Sequence, residues 1–452
     1  MGYSAITAQS PTCVSEIFAS SYSTISIRTL DNEIYSWGNN GYNLIPNNSN
    51  PFVTTPTLIN NTNNYSTIEH SDYFTIALTN DGDIYTWGRN QFGELGNGTF
   101  TTTNIPQLVQ PENIWLKATL GLSTAIALKN DGTIWGWGSN SGYQLNETNT
   151  QTYTTPIQLS PDTDWKDVFS GAFQTYAIKT NGSLWVRGSN GINTLLGIGN
   201  TLFVTEFTQV GTDLNWKEII VGKSNSSVCY GIKNDGSLWY WGKNNGHALG
   251  NGANSTDPNF SITTPVLFNE DGWISLSTNS NHTIGIKLDG TLWHWGSYCD
   301  NGSGTLIVQT PTQIGTDNDW KQVITTNCNN YAIKNDNTFW AWGSNYEGLF
   351  GDTTTPSSND PKIIFQCATS SSHFNEWSDL KLYPNPTSDK IYWNTDLFIE
   401  NIKIFDITGI KIFDENTQNH FVDISHLPNG MYIIILTDNE NNTHKNKFVK
   451  KN

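Results

Sequence analysis

A tetrapeptide that ends in glycine recurs seven times along this chain at nearly constant spacing, and six of the copies have the form aromatic-x-Trp-Gly. The closing glycines of the seven copies are separated by 50, 50, 50, 54, 54 and 47 residues and are Gly38, Gly88, Gly138, Gly188, Gly242, Gly296 and Gly343. A period near fifty predicts one supersecondary unit per repeat, too small to bury a core alone and stabilised by packing on its neighbours. The repeat therefore constrains the fold of the protein more strongly than it constrains the chemistry of any site.

Each unit contains four short apolar runs, which we interpret as four strands. In the seventh unit these runs are 320–323, 331–334, 338–342 and 361–364. The second and third runs are joined by Asp-Gly or Asn-Gly in five units, and these dipeptides predict a type I′ hairpin turn. Seven small antiparallel sheets in sequence predict an all-β fold, a seven-bladed β-propeller over residues 13–367.

Charge and composition exclude several kinds of partner. Residues 378–452 carry 10 acids and 8 bases, which leaves 30 acids against 15 bases for residues 1–377. Such an excess repels phosphate backbones, so no nucleic-acid partner is expected. No apolar run reaches 18 residues, so we also expect no membrane-spanning segment.

No catalytic, metal or cofactor motif interrupts the repeats. Gly-x-Ser-x-Gly, phosphate-binding glycine loops, His-x-x-x-His and Cys-x-x-Cys are all missing from the sequence, so we predict no cofactor, no metal and no catalytic residue. Short acidic groups precede several first strands, at Asp162 and Asp164, at Asp213, and at Asp317 and Asp319. They could bind calcium, but turn formation is the interpretation that we favour.

Five cysteines are too few for a disulfide scaffold, and their number is odd. Cys13 and Cys367 flank the repeats. If the ring closes, its two ends meet, and a disulfide there would lock a very long loop. The sequence leaves open whether these two cysteines bond. Cys229, Cys299 and Cys328 are interpreted as packing residues, with Cys299 and Cys328 as an alternative second pair.

The connection between the third and fourth strands varies most between units, and variable loops on a rigid scaffold are where recognition concentrates. We therefore expect binding residues there, chosen as aromatic or polar side chains on these loops: Phe92, Tyr143, His247, Phe260 and Tyr346. Arg187 is added because it replaces the repeat tryptophan. It either packs on a neighbouring aromatic residue or points its guanidinium at an anionic ligand.

The segment Asp81 to Thr99, DGDIYTWGRNQFGELGNGT, resembles the repeat of the regulator of chromosome condensation family. The resemblance extends over about residues 14 to 366 and implies a seven-bladed propeller. Relatives in that family range from a nuclear nucleotide-exchange factor to ubiquitin-ligase domains and secreted bacterial inhibitors. The resemblance therefore implies a fold and does not select a function.

The repeats end before a polar linker at 368–377, and residues 378–452 predict a small β-sandwich-like domain. That domain resembles the type A C-terminal sorting domain of the type IX secretion system of the Bacteroidetes. The matching residues are Tyr383, Pro384, Asn385, Pro386, Gly409, Gly430, Tyr432 and Lys450. The resemblance implies contact with that secretion machinery and export to the surface or medium of a Gram-negative bacterium. Residues 1–12 are interpreted as the remnant of a signal-peptide-like segment.

Together these features predict an exported binding protein whose propeller loops recognise an extracellular protein or a polysaccharide. The alternative is a secreted carbohydrate-active enzyme, a hydrolase or lyase. Such an enzyme would require carboxylates that converge within about 5 to 10 Å.

Overall fold

A computed structural model describes residues 11, 13–20, 24–59, 63–110, 114–145, 150–190, 195–199, 202–222, 228–269, 272–279, 281–300, 304–367, 382–393, 399–406, 411–417, 419–438 and 443–451. The chain divides into two compact units, Met1–Cys367 and Ala368–Asn452. The expected linker at 368–377 lies outside the described residues, as does nearly all of the segment 1–12.

The first unit consists of seven four-stranded antiparallel sheets, which we call blades 1 to 7, each formed by consecutive strands. Their bounds are β1 Val14–Ala19, β2 Thr24–Thr29, β3 Ile34–Asn39 and β4 Phe52–Ile59; β5 Tyr65–His70, β6 Phe74–Thr79, β7 Ile84–Gly88 and β8 Thr103–Val109; β9 Trp115–Leu120, β10 Thr124–Lys129, β11 Ile134–Gly138 and β12 Tyr153–Gln158; β13 Trp165–Ser170, β14 Gln174–Lys179, β15 Leu184–Ser189 and β16 Phe203–Gln209; β17 Trp216–Val221, β18 Val228–Lys233, β19 Leu238–Lys243 and β20 Ser261–Asn269; β21 Trp273–Asn279, β22 His282–Lys287, β23 Leu292–Asp300 and β24 Gly304–Gln313; β25 Trp320–Thr325, β26 Asn329–Lys334, β27 Phe339–Gly343 and β28 Ser358–Phe365.

The first strand of every blade lies innermost. Residues of all seven first strands line one central cavity of about 370 Å³. Each first strand contacts that of the next blade, and β25 contacts β1. The ring is therefore closed, which confirms the seven-bladed propeller that the repeat predicts.

Blades 1 and 7 meet without exchanging a strand, because each is built from one continuous segment. The backbone N–H of Val14 donates to Asn337 O at 2.9 Å. The Gln322 side-chain amide bonds to both backbone groups of Ile17, at 3.0 and 2.9 Å. In the structure a disulfide joins Cys13 to Cys367, with the two Cα atoms 4.2 Å apart. A second disulfide, Cys299–Cys328, joins blade 6 to blade 7, and Cys229 is a buried free thiol.

The recurring tetrapeptide has a direct structural reason. Its tryptophans are buried, and five of them donate their indole N–H to a carbonyl in the preceding blade: Trp37 to Leu349 O, Trp87 to Leu44 O, Trp137 to Glu94 O, Trp241 to Leu195 O and Trp295 to Ala248 O. The seven closing glycines have φ between 95° and 118°. A Cβ on Gly88 would lie 2.7 Å from Phe74 Cα, so a side chain has no room.

The predicted type I′ turn is wrong. In blade 3 the N–H of Gly132 donates to Lys129 O at 3.1 Å, and the positive φ falls on Gly132. This is a type I turn ending in a left-handed residue, the usual three-residue hairpin loop. It leaves Asp131 oriented to accept bonds from the Thr133 N–H and hydroxyl at 3.0 and 2.6 Å. That hydroxyl in turn accepts from Trp135 Nε1 at 2.9 Å.

The acidic groups before the first strands form ion pairs with lysines of the second strands. Lys334 Nζ lies 2.6 Å from Asp317 Oδ2 and 3.0 Å from Asp319 Oδ1. Equivalent pairs join Lys179 to Asp162 and Asp164, and Lys233 to Asp213. Burial lowers the pKa of Lys334, but its hydrogen bonds to the two aspartates outweigh burial and raise it overall. These carboxylates therefore neutralise lysines that pack over tryptophan rings.

Two histidines lie side by side in blade 6, where it packs on blade 7. The ring centroids of His282 and His294 are 5.8 Å apart. The centroid of Tyr298 lies 5.0 Å from that of His282 and 5.1 Å from that of His294. His282 Nδ1 is 3.1 Å from Thr325 Oγ1 of blade 7. Burial, reinforced by the neighbouring His294, lowers the pKa of His282 to about 3, and burial lowers the pKa of His294 to about 4.

Acid should therefore weaken the packing of blade 6 on blade 7. Both folded-state pKa values lie below the ordinary histidine value, so the unfolded chain binds more protons and stability falls as the pH drops below about 6.5. We expect each histidine to cost about 2 kcal/mol between pH 7 and pH 5. Replacing His282 by Gln and His294 by Tyr, the residues at these positions in blades 4 and 5, should remove most of that loss in urea unfolding. Equal pH dependence of the two proteins would contradict this.

The second unit is a sandwich of two sheets around one core. One sheet contains β29 Leu382–Tyr383, β30 Lys390–Trp393 and β33 Phe421–Asp423; the other contains β31 Ile399–Asp406, β32 Lys411–Asn416, β34 Gly430–Asp438 and β35 Thr443–Lys450. The β-sandwich prediction is confirmed. Asn385 explains part of the sequence pattern, because its amide accepts from Val449 N–H at 2.9 Å and donates to Lys447 O at 3.1 Å. Asn385 thereby covers an edge strand. Gly409 lies outside the described residues.

Candidate binding face of the propeller

The strand order places two sets of loops on one face of the ring. Because consecutive strands are antiparallel, the connections from first to second strands and from third to fourth strands emerge at the same end of each blade. We call this end the loop face. The hairpins between second and third strands lie at the opposite end.

One side-chain hydrogen-bond pattern recurs from blade to blade and holds the connections between third and fourth strands in place. Asn90 Oδ1 accepts the N–H of Leu95 at 3.0 Å, and its Nδ2 donates to Thr99 O at 2.9 Å. Five further asparagines make the equivalent bond to the backbone N–H five or six residues later: Asn40, Asn140, Asn190, Asn244 and Asn345. The loops are therefore held on their blades by buried side-chain hydrogen bonds, which suits a preformed binding surface.

Arg89 is the centre of a polar and aromatic cluster on the loop face. Its Nε and Nη2 lie 3.1 and 3.0 Å from Glu94 Oε1, and Nη2 donates to Ser123 Oγ of blade 3 at 2.6 Å. Burial raises the pKa of Glu94, although hydrogen bonds from the backbone and from Arg89 oppose the shift. Among the described residues, none accepts a hydrogen bond from Arg89 Nη1, and the side chain is 12% exposed.

Three aromatic rings surround this guanidinium. Its central carbon lies 3.5 Å from the ring centroid of Tyr73, 5.5 Å from that of Phe92 and 5.8 Å from that of Tyr42. Tyr42 also packs edge-on against Tyr73 at 5.0 Å. Tyr42 is 44% exposed and Phe92 is 41% exposed. We call Arg89 with these three rings the Arg89 cluster. It offers flat apolar surfaces beside fixed hydrogen-bond donors.

The other residues expected from the sequence lie elsewhere. Tyr143 has a left-handed backbone, with φ of 60°, and stacks on Phe203 at 5.1 Å. His247 and Phe260 lie on the blade 5 loop, in the short 3₁₀ helices Asn245–His247 and Pro258–Phe260, and both are half-buried. Tyr346 begins the 3₁₀ helix Tyr346–Gly348 and is 69% exposed. Of the candidate binding residues named above, Phe92 lies within the Arg89 cluster.

Arg187 takes a structural place at the joint of blades 3 and 4. It is 4% exposed, and its guanidinium donates to Leu159 O at 3.0 Å and to Thr205 O at 2.5 Å. The guanidinium carbon lies 5.4 Å from the Phe207 ring. These contacts match the packing alternative, because backbone carbonyls and an aromatic ring occupy the group. Beside it is a cavity of about 490 Å³.

The central cavity brings together charged residues that the sequence reasoning missed. Lys117 Nζ lies 2.5 Å from Asp167 Oδ1 and 4.0 Å from the Phe169 ring. Glu69 accepts from Thr119 Oγ1 and Leu120 N–H. Burial raises the pKa of Glu218, against the lowering effect of Lys117. The third residue of every first strand is polar or charged, and that alternation could have located this wall.

The Arg89 cluster was missed for a related reason. Arg89 follows the closing glycine of its tetrapeptide, where five other units have serine or asparagine, and Glu94 follows five residues later. Two unusual charges on one short loop are a signal for an ion pair. Tyr73 lies on a connection between first and second strands, and no binding residue was predicted on connections of that kind.

Comparisons with known proteins agree with this architecture. Residues 81–128 and 131–178 match the regulator of chromosome condensation (RCC1) repeat. Human WBSCR16 superposes with a TM-score of 0.62 at 16% identity, covering 74% of this chain and 94% of that protein. Prp20p of Saccharomyces cerevisiae gives 0.63 at 17% identity, covering 77% and 88%. Identities this low show the fold alone.

A different match concerns export. Residues 381–451 match the secretion system C-terminal sorting domain. A curated ulvan lyase of Nonlabens ulvanivorans, NLR42, is 32% identical over 72 residues, which is 15% of this chain and 14% of the lyase. The chain thus spans only 14% of the length of that relative. Among the residues that the structure describes, no helix is long and apolar enough to cross a membrane.

The two family matches agree with the two compact units and with the expected resemblances. The sorting domain marks the protein as exported, to the medium or to the outer cell surface of a Gram-negative bacterium, by the type IX machinery. The chain is an exported seven-bladed propeller, in which residues 81–128 and 131–178 match the RCC1 repeat, and residues 381–451 match a secretion system C-terminal sorting domain.

Proposed function

We propose that this protein binds neutral polysaccharide outside the cell, and that the Arg89 cluster is the binding site. The observation that carries the proposal is the exposure of Tyr42 and Phe92 beside a guanidinium whose Nη1 has no partner among the described residues. Aromatic rings stack on the apolar faces of sugar rings, and fixed N–H donors bind their hydroxyl groups. The cluster combines both kinds of contact.

Charge favours a neutral ligand. Glu94 already compensates Arg89, with their nearest atoms 3.0 Å apart. Residues 1–377 carry 30 acids against 15 bases, which repels sulfated or uronate-rich chains. The site therefore suits glucans, mannans or xylans better than anionic polymers.

Titration calorimetry with the full chain tests the proposal, using β-linked gluco-, manno- and xylo-oligosaccharides. Phe92→Ala and Tyr42→Ala should each weaken binding about tenfold, because each removes one stacking surface. Phe100→Ala is the matched control, since Phe100 is 58% exposed on the same loop and lies outside the cluster.

Two results would contradict the proposal. Binding that survives both substitutions unchanged would place the glycan site elsewhere. A silent sugar panel, together with specific capture of an extracellular protein, would favour protein recognition instead.

The alternative function, a carbohydrate-active enzyme, has one observation in its favour. Glu69 and Glu218, from two blades, line the central cavity, and burial raises the pKa of Glu218 as a general acid requires. Lys117 already pairs with Asp167, which leaves Glu218 as the residue to test. Cleavage products from the same oligosaccharides, abolished by Glu218→Gln, would support the enzyme.

A further inference from the structure

A second group of aromatic rings lies on the loop face, beyond the Arg89 cluster. Tyr143 of blade 3 stacks on Phe203 of blade 4, with the rings 5.1 Å apart and inclined by 20°. Phe203 is 48% exposed. Phe173 is 39% exposed and lies against the same loop, because a Cβ on Gly142 would be 2.8 Å from Phe173 Cβ. We call Tyr143, Phe173 and Phe203 the Tyr143 cluster.

Hydroxyl-bearing residues connect the two clusters. Arg89 Nη2 donates to Ser123 Oγ, and Ser123 O accepts the N–H of Ser139 at 2.8 Å. Ser139 Oγ donates to Ser141 Oγ at 3.2 Å, and Ser141 lies on the same loop as Tyr143. Short polar side chains of this kind can bond sugar hydroxyls between two stacking surfaces.

We propose that the loop face binds the interior of an extended polysaccharide chain, with one sugar on the Arg89 cluster and a later sugar on the Tyr143 cluster. This rests on the proposed glycan binding and adds the length and register of the ligand. The two clusters belong to different pairs of blades and share no ring contact in the described residues. Because the clusters belong to different blades, a linear chain laid across blades 1 to 4 would meet each cluster with a different sugar.

If one polysaccharide chain contacts both clusters, affinity should depend on the length of the chain. The second contact becomes intramolecular once the first is made, so affinity rises steeply when the oligosaccharide is long enough to reach both clusters. Below that length, a short oligosaccharide uses one cluster only.

The test is a length series, from disaccharide to octasaccharide, of the β-linked oligosaccharide that binds the full chain most tightly. We expect at least a tenfold gain in affinity over the series. Tyr143→Asn should abolish that gain, so that the octasaccharide binds no more tightly than the disaccharide, while Phe92→Ala should weaken every member. Asparagine is chosen because it tolerates the left-handed backbone at this position.

Phe173→Ser provides a second variant, in case Tyr143→Asn lowers the thermal midpoint, and it should reduce the gain as well. Affinity that is independent of length, with both variants behaving as the parent protein, would overturn the extended-chain proposal and leave glycan binding at the Arg89 cluster intact. Failure of every oligosaccharide to bind would overturn both.

Discussion

Replacing both Cys13 and Cys367 by serine is expected to lower the free energy of unfolding by about 3–5 kcal/mol. The disulfide encloses 354 residues of sequence separation, so it removes more conformational freedom from the unfolded chain than any shorter loop would. It also lies where blades 1 and 7 meet without a shared strand. Apart from it, closure depends on side-chain packing and on hydrogen bonds such as those of Gln322.

The second disulfide supplies the comparison. Cys299 and Cys328 are separated by only 29 residues, and their bond also joins two neighbouring blades. Chain entropy predicts that removing the Cys13–Cys367 bond costs about 2 kcal/mol more than removing this one. Urea unfolding of the two double-serine variants measures the difference. Equal unfolding midpoints for the Cys13–Cys367 variant and the parent would show that packing alone closes the ring.

Gly88→Ala should lower the free energy of unfolding by a similar amount, about 3–5 kcal/mol, although it adds only one methyl group. The φ of Gly88 is 112°, outside the left-handed region that other residues can enter. The added Cβ would lie 2.7 Å from Phe74 Cα and 2.8 Å from Tyr73 O, both backbone atoms of the adjacent strand and its turn. Neither atom can move without disturbing the blade.

Gly98 in the same blade is the matched control. Its φ is 81°, and among the described residues an added Cβ would meet just the Thr155 methyl group, at 3.8 Å. Gly98→Ala should therefore cost about 1 kcal/mol, from backbone strain without a clash. Thermal unfolding of the two variants separates the effects. If they are equally stable, positive φ alone explains the recurring glycine, and the close approach to the second strand is unimportant.

Much of the fold could be predicted because it repeats. The tetrapeptide recurs seven times, once with Arg187 in place of tryptophan, and its recurrence sets the number of blades. The apolar runs located the strands of blade 7 to within a few residues. The hairpin type could not be read from Asp-Gly alone. Asp131 keeps its carboxylate for Thr133, and that local hydrogen bonding selects a type I turn.

The candidate site was harder to predict, because it depends on contacts between blades. Phe92 was identified as a variable loop aromatic, but its neighbours Tyr42 and Tyr73 come from separate blades and separate kinds of loop. Arg187 attracted attention because it breaks the repeat, and the structure buries it in packing. Arg89 breaks the repeat less visibly and lies at the surface that we assign to the ligand.

Hydroxyl-radical footprinting of the full chain, with and without the longest oligosaccharide that binds, tests the central claim most directly. The proposal predicts protection of Tyr42, Phe92 and Tyr143, with no change at the exposed side chains of the opposite end, such as Leu214 and Leu288. Protection at that opposite end, or along the central cavity around Glu218, would contradict a glycan site on the loop face.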